Sequence, residues 1–300
     1  MFHLGYNTNG LPHHRVADAL ELLAELGYAA VSLTPDAGLL DPYDLRAGEV
    51  EDVRRRAEDL GLALTVETGT RFLLDPRRKH FPTLLEEAAE DRARRVDFLE
   101  RCVRLAAELG ASHVSFWAGR APGGEIGDGS DAPAAPDEPW DRLVEGTRRV
   151  LAHGREHGVR VAFEPEPGMF IERPLGYEHL CHHLGSLGDH LGLTLDVGHC
   201  LVTGDLPVAQ TIRDFAHRLV HVHLDDIAGG VHEHLPFGGG DLDLASTCAA
   251  LIEVGFDGMA AVELSRQSHQ GAAAAAQAMQ ALRDALGPHA GSSKANPRQA

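Results

Sequence analysis

The chain is short of positive charge and of cysteine, and it has no long apolar run. Its 27 Lys and Arg stand against 45 Asp and Glu, a formal net charge of −18. An excess of that size repels phosphate backbones and anionic membrane surfaces, so neither a nucleic acid nor a membrane is expected as partner. It does not exclude a small anionic substrate, because a metal ion or local arginines can invert the field inside a pocket. Cys102, Cys181, Cys200 and Cys248 are widely separated and form no Cys-x-x-Cys pair. That removes a zinc finger and a dithiol redox motif, and fits reduced cysteines in a cytoplasmic protein. No run of roughly 18 apolar residues suggests a membrane span. The opening residues Met1-Phe2-His3-Leu4-Gly5-Tyr6 carry no basic stretch followed by an apolar one, so no secretion signal is read.

What is present is a repeated phrase. Ala24-Glu25-Leu26-Gly27-Tyr28 recurs as Glu58-Asp59-Leu60-Gly61-Leu62 and Ala107-Glu108-Leu109-Gly110-Ala111, with looser versions ending in Gly158-Val159 and Gly255-Phe256. Each closes a helical pattern, puts Gly where a left-handed cap is needed, and opens an apolar run. The helices behind it are amphipathic: Val16, Ala19, Leu20, Leu23 and Leu26 share a face, as do Val96, Leu99, Val103 and Ala106. The apolar runs are short and nearly continuous, as strands buried on both faces of a parallel sheet should be. Eight are read: His3–Tyr6, Ala30–Leu33, Ala63–Glu67, His113–Trp117, Val159–Glu164, Gly192–Asp196, Leu219–Leu224 and Met259–Leu264.

Strands and helices alternating eight times point to a closed barrel or a doubly wound sheet. The first strand lacks a Gly-rich dinucleotide fingerprint, which favours the barrel. The expectation is an α/β protein with one (β/α)8 TIM barrel over residues 1–287 and a disordered tail over 288–300. Residues 119–139, rich in Gly, Pro, Ala and Asp, read as a long surface loop.

Barrel active sites lie where strands end. Runs five to eight end in Phe163-Glu164-Pro165-Glu166, Leu195-Asp196-Val197-Gly198-His199, His221-Val222-His223-Leu224-Asp225-Asp226 and Val262-Glu263-Leu264-Ser265. A single acid there is usually a helix N-cap, and a lone strand His a core residue. Four consecutive strands delivering Glu, Asp, His and Glu at one depth are hard to explain as independent accidents, and the carboxylates would repel unless some were protonated or a cation sat among them. Oxygen ligands with one imidazole suit Mn²⁺, Mg²⁺, Co²⁺ or Zn²⁺.

These motifs resemble the xylose isomerase-like barrel superfamily, the sugar-phosphate isomerase/epimerase proteins, from about Leu4 to about Leu286. The resemblance implies one divalent metal held by Glu164, Asp196, His223 and Glu263, and a substrate contact at His199. Glu166 could touch a substrate hydroxyl, Trp117 could form an apolar wall, and His232 lies in the loop after the seventh run. That loop, 231–241, has the glycines of a mobile lid. Glu67, Arg71 and His80 stand in or beside a stretch with three consecutive basic residues, Arg77-Arg78-Lys79, that could recognise an acidic group or simply form a solvated face.

The function implied is metal-assisted proton transfer next to a carbonyl of a small polyhydroxylated ketone, with Glu164 and Glu263 as proton carriers. Proton return gives an isomerase or epimerase. Loss of a β-hydroxyl gives a dehydratase, as in the inosose dehydratases of the superfamily. An abasic-site endonuclease of the superfamily uses further His ligands after strands three and four, where this chain has Glu67-Thr68-Gly69 and Trp117-Ala118-Gly119, and an Asp-x-His in the strand-seven loop, where it keeps His232 but has Gly230. A non-catalytic binding barrel is the remaining alternative, and the sequence leaves a homo-oligomer open.

Overall fold

The computed structural model describes residues 2–127 and 137–287, so the expected tail and residues 128–136 of the expected loop lie outside the described residues. Eight parallel strands close into a barrel in sequence order, β1 next to β8. They are β1 His3–Asn7, β2 Ala30–Leu33, β3 Ala63–Glu67, β4 His113–Phe116, β5 Arg160–Phe163, β6 Leu191–Asp196, β7 Leu219–Leu224 and β8 Met259–Val262. Each lies within two residues of the run read from the sequence.

Around them lie α1 Val16–Leu26, α2 Glu49–Leu60, α3 Ala89–Leu109, α4 Asp137–His157, α5 Pro174–Leu184, α6 Val197–Thr203, α7 Val208–Phe215, α8 Leu244–Glu253 and α9 Gly271–Leu286. The recurring phrase acts as expected. Gly61 (φ 70°) and Gly110 (φ 67°) take the left-handed conformation that ends α2 and α3 and turns the chain into the next strand. None of the described helices is long and apolar enough to cross a membrane.

The buried faces of the helices pack on the outside of the strands through Leu20, Leu23, Leu99, Val103 and Leu251, all fully buried. The inside of the barrel is more polar than the outside. Ser115 Oγ lies 2.6 Å from Thr194 Oγ1, joining β4 to β6 across it, and Ser32 Oγ lies 2.8 Å from Thr65 Oγ1 and 3.4 Å from His221 Nε2. This hydrogen-bonded layer forms a floor, and the ligand candidates sit one pleat above it, two residues on along each strand. Register holds two of them level, with Asp196 opposite His223 across the β6–β7 ladder.

Candidate metal centre

Glu164, Asp196, His223 and Glu263 converge, each offering one ligand atom within 4.8 Å of the others. His223 Nδ1 lies 2.9 Å from Glu164 Oε1, 3.0 Å from Glu263 Oε2 and 3.8 Å from Asp196 Oδ2. Both readings of Asp196 hold at once. Its Oδ1 caps α6 by accepting from the His199 N–H at 2.9 Å. Its Oδ2 is buried and has no hydrogen-bond partner. An orphaned carboxylate oxygen aimed at two glutamates and an imidazole is the environment a hard divalent cation satisfies, so the residues fit the expected metal.

The electrostatics agree. Burial, then Asp225, pushes the Asp196 carboxyl well above its ordinary range. Burial also pushes Glu263 up, but His223, His234 and the Asn9 amide, 2.5 Å from Glu263 Oε1, outweigh it and hold the carboxyl low. For His223 burial disfavours the imidazolium, yet Glu164, Glu263 and Glu67 overcome that and raise it well above the usual range. Behind His223 stands Glu67 at the end of β3. Its Oε1 is 3.5 Å from His223 Nε2 and 3.4 Å from His221 Nε2, and burial pushes its carboxyl up to about 7.

A cavity of about 290 Å³ opens above this centre, lined by Glu164, Glu166, Trp117, His223, His232 and Glu263 among others. Trp117 is buried one residue past β4. The fully buried Arg95 of α3 stacks on it at 4.2 Å and donates to the Thr68 carbonyl, so the indole is clamped in place. Burial, then Glu164 and Glu263, pushes the Glu166 carboxyl well up. His199 does not itself line the cavity. It lies behind His232, Nε2 to Nε2 at 3.2 Å, while its Nδ1 meets the Pro165 carbonyl at 3.0 Å.

Sequence reasoning passed over His234, which the structure places in this cluster. Its Nε2 is 3.4 Å from His232 Nε2, and its Nδ1 pairs with Asp225. The His-x-His spacing of 232 and 234 was the available signal. The 231–241 segment, whose glycines suggested a mobile lid, is tied to the end of β7 at several points. Asp226 accepts four backbone N–H groups, from Ile227, Gly238, Gly240 and Leu242, at 2.9–3.0 Å, and pairs its backbone with Leu235, which anchors the loop.

A closed parallel barrel with a carboxylate–imidazole cluster at the C-terminal ends of its strands is a TIM barrel with a candidate metal centre. Residues 20–285 match the family model described as xylose isomerase-like TIM barrel, and the chain belongs to that family. Among curated proteins it is similar to the rhizopine catabolism protein MocC of Rhizobium meliloti, 28% identical over 186 residues, 55% of this chain and 56% of that protein. It is also similar to an inosose dehydratase of Glaesserella parasuis, 29% identical over 99 residues, 32% of each chain. These alignments span about a third to just over half of the relatives' length. Among solved structures, L-ribulose 3-epimerase superimposes with TM-score 0.73 at 19% identity, covering 99% of this chain and 100% of that one. The IolI protein with a bound zinc atom gives 0.73 at 17%, covering 95% and 98%. A D-allulose 3-epimerase from Methylomonas sp. gives 0.72 at 15%, covering 95% and 98%. At these identities the likeness is one of fold.

Proposed function

We propose that this chain is a divalent-metal-dependent isomerase or epimerase of a sugar, sugar-phosphate or cyclitol ketone, acting by proton abstraction next to a carbonyl. The observation that carries the reading is the pair of glutamates, Glu164 and Glu263, meeting His223 Nδ1 from different strands beside the orphaned Asp196 Oδ2. Glu164, Asp196, His223 and Glu263 would hold the metal, which when bound supplies Lewis-acid polarisation of the carbonyl. Glu263, held ionised by its neighbours, is the carboxylate ready to accept a proton. Glu164, from the end of a different strand, would return one. Trp117 walls the cavity, while His232 and Glu166, with His199 behind them, are the hydroxyl-binding groups.

One observation favours dehydration as the second reading. Glu166 lines the cavity, and burial, then Glu164 and Glu263, push its carboxyl upward, the direction that suits a proton donor to a leaving hydroxyl. The inosose dehydratase relative supports the same reading.

The test is solvent exchange. With Mn²⁺ in D2O, a panel of ketoses and inososes should include one that acquires deuterium at the carbon next to its carbonyl. Glu263→Gln should cut that exchange by several orders of magnitude, with metal content measured alongside. A variant that kept both its metal and near-normal exchange would remove Glu263 from the chemistry.

A further inference from the structure

The cavity is electrically two-ended. Its floor carries the carboxylates of the metal centre, and its mouth is lined by Arg71, Lys79 and Arg266. Three cations at one opening are unexpected in a chain of net charge −18, where Lys79 is one of only two lysines. Arg71 and Lys79 come from the β3–α3 connection, and Arg266, whose Nη1 also lies 3.5 Å from Glu233 Oε1, from the segment after β8.

The segment carrying the first two is fixed. The His80 N–H donates to the Arg71 carbonyl at 2.7 Å, and His80 Nδ1 meets the Thr70 carbonyl at 2.8 Å. These contacts close residues 70–80 into a loop with Arg71 and Lys79 side by side. Asp36 anchors its start, accepting from Thr70 Oγ1 and from the Arg71 backbone N–H. Of the three consecutive basic residues, only Lys79 lines the cavity. Arg78 is turned to Asp75 and stacks on Phe81. Partial burial, then Arg71 and more weakly Arg266, hold the Lys79 ammonium below the ordinary lysine range, against Glu166. The two guanidinium groups act on Lys79 as like charges, and a bound anion would relieve that repulsion.

We propose that the cavity mouth is a subsite for an anionic group, phosphate or carboxylate, on the end of the substrate away from the reacting carbonyl, held by Arg71, Lys79 and Arg266. The subsite rests on the reading of this cavity as the substrate site. It narrows the substrate class from neutral sugars and cyclitols to their acidic derivatives. Arg and Lys together suit either anion, through directed guanidinium hydrogen bonds and a compact point charge. The floor then takes the polar carbonyl end, so the field of the cavity orients the substrate before chemistry.

The experiment is calorimetric binding to the Mn²⁺-loaded full chain of three ketoses that differ at one carbon: D-fructose, D-fructose 6-phosphate and D-fructuronate. At least one anionic ketose should bind tighter than D-fructose by about tenfold or more, the lower range for a charge-assisted hydrogen bond. Which anion gains more identifies the source. Lys79→Gln and Arg71→Gln should each remove most of that gain, and Arg77→Gln, a neighbouring cation outside the cavity, should not. Folding is checked by circular dichroism and metal content. A wild-type protein that binds neither anion more tightly than D-fructose, including one that binds none of the three, overturns the proposal. So does an equal loss in Arg77→Gln, which would make the effect one of general charge. Repeating the titrations on metal-free protein separates the two claims: an anion preference that survives without metal, in a protein that shows no solvent exchange, leaves the subsite standing and removes the proton-transfer reading.

Discussion

Glu67 Oε1 faces His223 Nε2 at 3.5 Å, so the imidazole that turns its Nδ1 to the ligand cluster has a buried carboxylate at its back. A carboxylate behind a ligating imidazole fixes the ring's tautomer and raises its basicity as a ligand. Replacing Glu67 by Gln should weaken Mn²⁺ affinity roughly 10–100-fold, the usual cost of losing such a partner. Titration followed by the electron paramagnetic resonance of free Mn²⁺ reads this directly, and unchanged affinity would mean that Glu67 only fills space.

Asp196→Ala removes both the orphaned oxygen and the cap of α6. Purified wild-type protein should carry close to one divalent ion per chain, and the variant far less, by elemental analysis. Asp196→Asn keeps a cap acceptor, so it should recover helix stability without recovering the metal. Full metal occupancy in Asp196→Ala would remove this residue from the ligand set.

The buried acids set a pH dependence. Glu67 sits at about 7 against an ordinary 4.5, and burial also raises Asp196 and Glu166. A carboxyl raised on folding contributes stability that is complete below its unfolded value and is lost as pH rises through its folded value. For Glu67 that window runs from about 4.5 to about 7. The metal-free protein should therefore lose this contribution across the window. Bound metal should stabilise more as pH rises, since the ligands must be unprotonated. Thermal unfolding with and without Mn²⁺ at several pH values checks the sign. A metal-induced rise in Tm that does not grow with pH contradicts it.

Gly198 is sterically obligatory. A Cβ there would stand 2.0 Å from Asp225 Oδ1 and 2.9 Å from Ile227 Cγ1. Gly198→Ala must displace the carboxylate that holds His234. It should cost about 1–3 kcal/mol of stability, in the range of other overpacked sites. Denaturant unfolding measures the cost, and an unaltered midpoint would show that Asp225 can yield freely.

Duplex DNA with an abasic site should not be incised even with excess zinc at low salt, where electrostatic attraction is strongest. The strand ends that would supply further imidazoles carry Glu67 and Trp117 instead. Strand scission on a gel under those conditions would reverse the ranking of the two chemistries.

The barrel was legible because its signals are local. A helix face repeats every three or four residues, Gly61 and Gly110 mark the helix ends, and the strands are short, mostly apolar runs, so eight of them could be placed within two residues. Glu164, Asp196, His223 and Glu263 were legible for the same reason, as polar residues that break apolar runs at strand ends. What the 231–241 loop does was not legible, because glycine content reports freedom in the chain alone. The four N–H groups that Asp226 gathers depend on where β7 ends. His234 lying against His199, Glu67 backing His223 and Arg266 sharing a cavity with Lys79 likewise join the ends of different strands. They span tens to nearly two hundred residues, and only closure of the barrel brings those strand ends to one rim. The sequence by itself determined the strands, the caps and the ligand candidates, since each is a property of a few neighbouring residues. The pairings that tune those ligands and give the cavity two electrical ends were decided by tertiary structure, because electrostatics acts through distance in space rather than along the chain.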